Sequence, residues 1–143
     1  MQRTASAVWS GSLKDGKGSI TTQSSVLSEA PYSFITRFEN GKGTNPEELI
    51  AAAHAGCFSM ALSAQLGTMN HTPQRIHTTA TLTLEKLEAG WTISKIHLDV
   101  SARIPGLSAA AFESAAASAK ANCPVSRVLR AEITMTASLE QAA

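Results

Sequence analysis

A long apolar run dominates the pattern of the chain, because nearly every residue over 49–66 is small or apolar. Four polar side chains interrupt it: His54, Ser59, Ser63 and Gln65. Asn45 can cap a helix that begins at Pro46, and Glu48 can complete a capping box. Gly67 is suited to the end of that helix. The run therefore predicts one long helix that must be covered on more than one face.

An apolar run of this length could also cross a membrane. The polar side chains within it, and Glu47 and Glu48 at its head, favour a core helix instead. The residues before Trp9 lack the apolar stretch of a secretory signal. We therefore expect a cytoplasmic protein, in a compartment that keeps thiols reduced.

Alternating apolar and polar residues predict strands in the N-terminal part of the chain. A hairpin is expected there, with a strand that starts at Trp9, a turn around Asp15 and a second strand over 18–23. Residues 32–38 alternate as well, with Tyr32, Phe34, Thr36 and Phe38 on one face. They therefore predict a further strand, which would end just before the long helix.

The C-terminal part of the chain predicts a second set of elements. Residues 76–87 and 91–103 alternate on either side of a short turn and predict a long antiparallel hairpin. Ser108 can cap a second helix over 109–121, which the asparagine, cysteine and proline that follow would end. One or two more helical turns and a last strand over 132–139 complete the chain.

The order of these elements has no regular alternation of strand and helix, so we expect an α+β fold with mainly antiparallel sheets. A chain of 143 residues is long enough for one substantial core, which predicts a single domain. The formal net charge of +1 gives no field that would attract nucleic acid. One small sheet would leave the long helix partly bare, which favours a dimer.

Cys57 and Cys123 lie far apart in the sequence, and neither is part of a CxxC motif. They are therefore either two inert buried thiols or a catalytic pair that the fold brings together. In the second case, a rigid helical Cys57 would attack and a looser Cys123 beside Pro124 would resolve. A zinc site would need both cysteines, His54 and a further histidine, and the spacing does not favour it.

Cys57 lies inside the predicted helix, where the helix dipole does little to ionise its thiol, so a positive neighbour is required. Arg37 is the preferred candidate, because a guanidinium among apolar residues needs a carboxylate partner. A surface arginine on an edge strand is the alternative. Glu47 can be that partner, although capping and the helix dipole also explain it. Glu47 precedes Cys57 by ten residues, about 15 Å along a straight helix, so in one site the helix bends or Glu47 comes from a second chain.

His54 lies one turn before Cys57 on the same helix face and could hydrogen-bond the thiol. A packed histidine in a core helix is the alternative. Apolar residues that could line a substrate pocket, or simply fill the core, are Phe34, Phe38, Phe58, Met60 and Met69.

Three segments carry a resemblance to a known family: residues 43–62, which begin GTNPEEL and continue AAAHAGCFSMAL, residues 120–126, KANCPVS, and residues 31–39. They resemble the OsmC/Ohr family of osmotically inducible and organic hydroperoxide resistance proteins over essentially the whole chain. The OsmC branch fits better than the Ohr branch, partly because His54 and Ala55 stand where Ohr proteins carry a different pair.

The resemblance implies an OsmC-like fold, with sheets wrapped around a long central helix and a second helix in an intertwined homodimer. It implies that Cys57 is the peroxidatic thiolate, that Cys123 is the resolving thiol, and that Arg37 and Glu47 form an ion pair beside Cys57 from the partner chain. Ohr proteins take their arginine from the first hairpin, where this chain has Lys14-Asp15-Gly16-Lys17. Arg37 is therefore carried over from the OsmC branch.

The implied activity is a cofactor-free reduction of organic hydroperoxides, and more weakly of hydrogen peroxide, to alcohols or water. A dithiol such as a dihydrolipoyl group would reset the Cys57–Cys123 disulfide. We expect no metal, no nucleic acid and no membrane partner. The alternative is a dimeric stress or small-ligand-binding protein whose cysteines are inert.

Overall fold

The structure of the protein is a computed structural model that describes residues 1–141. The chain forms two compact units, the first over Met1–Leu49 and the second from Ile50 onward. The single domain expected from the chain length stays a prediction.

The first unit contains a three-stranded antiparallel sheet in the order β1-β2-β3. Its strands are β1 (Ala5–Ser10), β2 (Lys17–Thr22) and β3 (Ala30–Tyr32). The predicted N-terminal hairpin is confirmed, because β1 pairs antiparallel with β2. Strand β1 begins ahead of the predicted start at Trp9.

The predicted strand over residues 32–38 is wrong, since a short helix, α1 (Phe34–Phe38), occupies most of it. Ser33 caps α1: its Oγ accepts from the Thr36 N–H at 3.4 Å, and Thr36 Oγ1 accepts from the Ser33 N–H at 2.8 Å. The two phenylalanines at the ends of α1 pack with their ring centroids 4.8 Å apart. This capping box and the aromatic pair at positions i and i+4 outweigh the alternating pattern.

The long helix is confirmed as α2 (Pro46–Thr68). Asn45 caps it as predicted, with Oδ1 accepting from the Glu48 N–H at 2.8 Å. The Asn45 side-chain amide also donates to the Thr36 carbonyl at 2.9 Å, which ties the helix start to α1. The Glu48 carboxylate accepts from the Thr44 hydroxyl at 3.3 Å.

The end of α2 differs from the prediction, because Gly67 lies inside the helix. Asn70 ends it instead, with a φ of 59° that asparagine tolerates better than most residues. The Asn70 N–H donates to the Gly67 carbonyl at 3.1 Å, and the His71 N–H donates to the Leu66 carbonyl at 2.9 Å. These two bonds form a Schellman motif, which satisfies carbonyls at the helix end.

Within residues 1–141, α2 is the one helix whose length and composition would allow it to cross a membrane. The core helix of a globular protein meets the same criterion. Four side chains of α2, spaced four residues apart, are buried: His54, Phe58, Leu62 and Leu66. This stripe matches a core helix with one packed face.

The second unit contains a three-stranded sheet in the order β4-β5-β6. Strands β4 (Arg75–Leu87) and β5 (Gly90–Arg103) form the predicted antiparallel hairpin, with a register shift between Thr83 and Leu84. The last strand, β6 (Glu132–Leu139), pairs parallel with β5. Helices lie between β5 and β6 in the chain, as a parallel connection requires. The sheets are mainly antiparallel, as predicted.

Two helices precede β6: α3 (Ala109–Asn122) and α4 (Pro124–Val128). Ser108 caps α3 as predicted, its Oγ accepting from the Ala111 N–H at 3.2 Å. One core joins α2, β5 and α3, and its buried apolar residues are Phe58, Leu62, Leu66, Ile96, Leu98, Val100, Ala102, Ile104, Phe112, Ala115, Ala116, Ala119 and Cys123. The observed elements make an α+β fold.

Candidate active site

The two cysteines meet in the second unit. Cys57, in the middle of α2, and Cys123, between α3 and α4, are 66 residues apart in sequence, yet their Sγ atoms are 2.9 Å apart. Both are free thiols. Cys57 is half-buried, whereas Cys123 is fully buried in the core. The sequence left open whether the two cysteines meet. The fold brings them together, at a distance from which a disulfide can form.

The surroundings of the two thiols act in opposite directions on their pKa values. Burial, and then the hydrogen bond and charge of Cys123, raise the pKa of Cys57, although the Val125 N–H opposes this. Burial also acts to raise the pKa of Cys123, but the Cys57 thiol, the N–H and hydroxyl of Ser126 and the Val125 N–H together lower it. Within this unit, a thiolate is favoured on Cys123 and disfavoured on Cys57.

Arg37 and Glu47 form an ion pair in the first unit. The guanidinium donates from Nη2 to Glu47 Oε1 at 2.7 Å, and from Nε to Oε1 and Oε2 at 3.1 and 3.2 Å. The Glu47 side chain is only 12% exposed and that of Arg37 is 36% exposed. Arg37 belongs to the last turn of α1, not to the predicted strand. The expected partner is therefore present, and the fork of Arg37 is held by a nearly buried carboxylate.

An apolar cavity of about 260 Å³ lies beside Arg37 in the same unit. Its lining residues are Trp9, Leu13, Tyr32, Ser33, Phe34, Arg37 and Phe38. Of the predicted pocket residues, Phe34 and Phe38 line this cavity, whereas Phe58 is in the core and Met60 and Met69 are exposed.

Trp9 and Tyr32 also line the cavity, although the sequence pattern did not predict them there. Both pair with Gly18 of the middle strand β2, and their ring centroids are 5.3 Å apart. A Cβ at Gly18 would collide with the Tyr32 ring. The signal available in the sequence was an aromatic residue on each strand that flanks a strand glycine.

His54 does not form the hydrogen bond to the Cys57 thiol that its helical spacing suggested. Its Nε2 instead lies 2.8 Å from the Ser126 hydroxyl. The side chain is fully buried, and its Nδ1 has no hydrogen-bond partner among residues 1–141. Burial lowers the pKa of His54, so the ring is neutral at neutral pH. Ser126, which contacts both His54 and Cys123, was missed because it lies far from His54 in sequence.

Over residues 1–141, no three His, Cys, Asp or Glu side chains gather in a way that could hold a metal ion. The candidate site therefore consists of two sets of groups. The first set is the two thiols with His54 and Ser126, and the second is the Arg37–Glu47 ion pair with the aromatic cavity beside it. The first set can exchange protons and electrons at sulfur. The second can hold a small molecule with an apolar part next to a cation.

Comparisons with known proteins agree on one family. A family model described as OsmC-like protein matches residues 39–138. The chain is 53% identical to Peroxiredoxin OsmC of Escherichia coli (strain K12) over 135 residues, 94% of each chain.

Solved structures show the same fold. An organic hydroperoxide resistance protein OsmC from Legionella pneumophila is 25% identical, with a TM-score of 0.67, and the match covers 96% of this chain and 97% of that one. The organic hydroperoxide resistance protein OhrB of Bacillus subtilis is 24% identical, with a TM-score of 0.68 and coverage of 96% and 98%. The chain therefore belongs to the OsmC-like protein family, as its motifs predicted.

Proposed function

We propose that the protein is a cysteine-based peroxidase that reduces organic hydroperoxides, and more weakly hydrogen peroxide, without a cofactor. The observation that carries the proposal is the 2.9 Å approach of the Cys57 and Cys123 sulfur atoms. The relatives named peroxiredoxin and organic hydroperoxide resistance protein support a peroxiredoxin-like redox protein.

The reaction begins at Cys57, the more exposed thiol of the pair. Its thiolate attacks the outer peroxide oxygen, the O–O bond breaks, and the alkoxide takes a proton and leaves as the alcohol. Cys57 is left as a sulfenic acid. The Cys123 sulfur then attacks the Cys57 sulfur, which forms the disulfide and releases water. The peroxide is reduced by two electrons and the thiol pair is oxidised by two.

Burial and Cys123 raise the pKa of Cys57, and among the described residues of its own unit no cation acts to lower it. The Cys57 thiolate therefore needs a cation from elsewhere. We assign this role to Arg37, held by Glu47. Glu47 and Cys57 are ten residues apart on one uninterrupted helix, about 15 Å along its axis. We therefore propose that the Arg37–Glu47 pair of one protomer serves the Cys57 of its partner.

An exposed face of α2 supports the dimer. Its members are mostly small: Ala52, Ala53, Gly56, Met60, Ser63 and Ala64. A Cβ placed on Gly56 would meet nothing within 4 Å in the described part of the chain. Small residues allow another backbone to approach closely, and an apolar face of this length is normally covered. We therefore infer a homodimer with two equivalent sites.

The aromatic cavity beside Arg37 supports an organic substrate. Phe34, Phe38 and Trp9 offer apolar surface to an alkyl or aryl group, while the guanidinium would face the peroxide. Hydrogen peroxide has no such group and would gain nothing from this surface. We expect the preference for organic hydroperoxides to arise here.

Resetting the enzyme requires a dithiol that reduces the Cys57–Cys123 disulfide by exchange. We propose a dihydrolipoyl group as this dithiol, and the cytoplasm as the compartment in which the thiols are kept reduced.

The test is consumption of cumene hydroperoxide with dihydrolipoamide as the reductant. Cys57→Ser is expected to abolish turnover. Cys123→Ser is expected to allow one reduction per chain and to leave a sulfenic acid that a dimedone probe traps. Unchanged turnover in Cys57→Ser would overturn the proposal and favour a small-ligand-binding protein with inert cysteines.

A further inference from the structure

A buried polar chain leads from the long helix to the second cysteine. His54 Nε2 lies 2.8 Å from Ser126 Oγ, and both residues are buried. Ser126 lies in the first turn of α4, three residues after Cys123 at the N-cap of that helix, so the two buried side chains are neighbours on one helical turn, and Ser126 lowers the pKa of the Cys123 thiol. The three side chains therefore connect imidazole, hydroxyl and thiol in sequence.

The unpartnered nitrogen of His54 indicates where its proton lies. Nδ1 is buried and has no hydrogen-bond partner within residues 1–141. A buried N–H without a partner is rarer in proteins than an acceptor without one. The neutral ring is therefore protonated on Nε2, which donates to Ser126 Oγ. The single hydroxyl hydrogen of Ser126 is then free to point at the Cys123 sulfur.

We propose that His54 is a positioning residue that acts through Ser126 to stabilise the Cys123 thiolate, and so makes Cys123 the sulfur that leaves when a dithiol reduces the disulfide. The proposal rests on the proposed Cys57–Cys123 disulfide. It adds a direction to the reduction, namely which sulfur the reductant attacks and which it displaces.

The reduction step can be written with its electrons. A thiolate of the reductant attacks Cys57 Sγ and forms a mixed disulfide, while the S–S bond breaks and its electron pair stays on Cys123. The second thiolate of the reductant then attacks the reductant's first sulfur, which is bonded to Cys57 Sγ in the mixed disulfide. This releases Cys57 as a thiolate and the oxidised reductant as a disulfide. A thiol with a lower pKa leaves faster, so stabilising Cys123 speeds the first step.

Accessibility supports the same direction. Cys123 is 0% exposed, whereas Cys57 is half-buried on α2. A reductant can thus reach the Cys57 sulfur, and its attack there displaces the Cys123 sulfur, which is the better leaving group.

Apart from Cys57, which has no S–H to donate once its sulfur is part of a disulfide, the charged and titratable groups around Cys123 do not offer another explanation. From α2, the Cys57 thiol contacts it and His54 reaches it through Ser126. From α3, the Lys120 ammonium donates to the Ile133 carbonyl at 3.4 Å. In the described part of the chain, the groups that act on the Cys123 thiol are Cys57, Val125 and Ser126.

The first measurement titrates Cys123 alone, in a Cys57→Ser background, by the ultraviolet absorbance of its thiolate. Ser126→Ala is expected to lower the thiolate-to-thiol ratio at a given pH roughly tenfold, the size of one hydrogen bond to a charged group. Ser126→Thr keeps the hydroxyl and should restore the ratio. His54→Leu should lower it, and His54→Gln, whose side-chain amide can donate in place of Nε2, should restore most of it.

The second measurement follows reduction of the disulfide, formed with diamide so that no peroxide is involved. Stopped with acid during reduction by a monothiol, the parent protein should carry the mixed disulfide on Cys57, and Ser126→Ala should slow its formation roughly tenfold. A titration midpoint of Cys123 that is the same in Ser126→Ala and Ser126→Thr would overturn the proposal, as would a mixed disulfide on Cys123. Because neither measurement uses peroxide, loss of the proposed peroxidase function would be seen separately, in the cumene hydroperoxide assay.

Discussion

The Sγ atoms of Cys57 and Cys123 lie 2.9 Å apart at the junction of α2 with the α3–α4 turn. One thiol is half-buried on a helix that carries the core stripe of the second unit, and the other is fully buried. A pair placed in this way can alternate between two thiols and a disulfide with little movement of the helices.

Replacing Arg37 should impair catalysis more than folding. Arg37→Gln removes the cation proposed to stabilise the Cys57 thiolate, and we expect kcat/KM for cumene hydroperoxide to fall roughly 100-fold. The free energy of unfolding should fall by about 1–2 kcal/mol, because the guanidinium is 36% exposed whereas Glu47, only 12% exposed, loses its partner.

The matched control for Arg37 is Arg75→Gln. Arg75 forms an ion pair with Glu140 at 2.9 Å that is more exposed than the Arg37–Glu47 pair, and Glu140 keeps Arg103 as a second partner at 3.1 Å. The Arg75→Gln variant should have the same kcat/KM as the parent protein. Equal losses in the two variants would show that Arg37 has no special role in the reaction.

Removing the second thiol should make Cys57 more acidic. The hydrogen bond and charge of Cys123 contribute to the raised pKa of Cys57, after burial. In Cys123→Ser, the pH midpoint for alkylation of Cys57 by iodoacetamide, measured by peptide mass spectrometry, should move to lower pH than in the reduced parent protein. A midpoint that stayed in place or moved upward would contradict the electrostatic coupling of the two thiols.

Acidification should destabilise the protein partly through His54. Burial lowers the pKa of His54 below its ordinary value of 6.5, so the unfolded chain binds a proton that the folded chain resists. Stability from this residue is complete above pH 6.5 and is lost as the pH falls below that value, by at most about 1.4 kcal/mol per pH unit.

Urea unfolding about one pH unit above and below the ordinary histidine pKa measures this loss. The variant His54→Gln, which has no titrating ring, should lose less stability between the two conditions than the parent protein. Identical losses would mean that His54 is protonated in the folded state without cost.

Introducing a charge on the exposed face of α2 should separate the protomers of the proposed dimer. Met60 is 77% exposed in the chain and lies among the small residues of that face. Met60→Lys is expected to sediment as a monomer, whereas the parent protein is expected to sediment as a dimer, and the variant should lose activity as well. Val26→Lys, at a position that is 84% exposed in the first unit, is the control and should leave the mass unchanged. A Met60→Lys protein that sedimented as the parent does would argue against this face as the interface.

The elements that the sequence predicted well are those with strong local signals. Asn45 and Pro46 fixed the start of α2, and the alternation over β4 and β5 fixed the long hairpin. Residues 32–38 were predicted wrongly because a capping box and a short alternating pattern coincide there, and the hydrogen bonds of the box prevailed. Gly67 was chosen as the helix end on residue type, whereas the left-handed residue proved to be Asn70.

The candidate site was predictable only in part, for a similar reason. The family motifs named Cys57, Cys123, Arg37 and Glu47, and the structure brings the members of each pair into contact. Helical spacing suggested Cys57 as the partner of His54, but the true partner, Ser126, is 72 residues away. Contacts of that range depend on how α4 packs, which no local pattern in the sequence records.

The central claim, that Cys57 and Cys123 carry the peroxidase reaction together, is tested most directly by adding stoichiometric cumene hydroperoxide to the reduced protein and mapping its disulfides by mass spectrometry. We expect one intramolecular Cys57–Cys123 disulfide to form for each molecule of cumyl alcohol released, and neither product to appear with Cys57→Ser. Peroxide consumption that leaves both thiols free would contradict the claim.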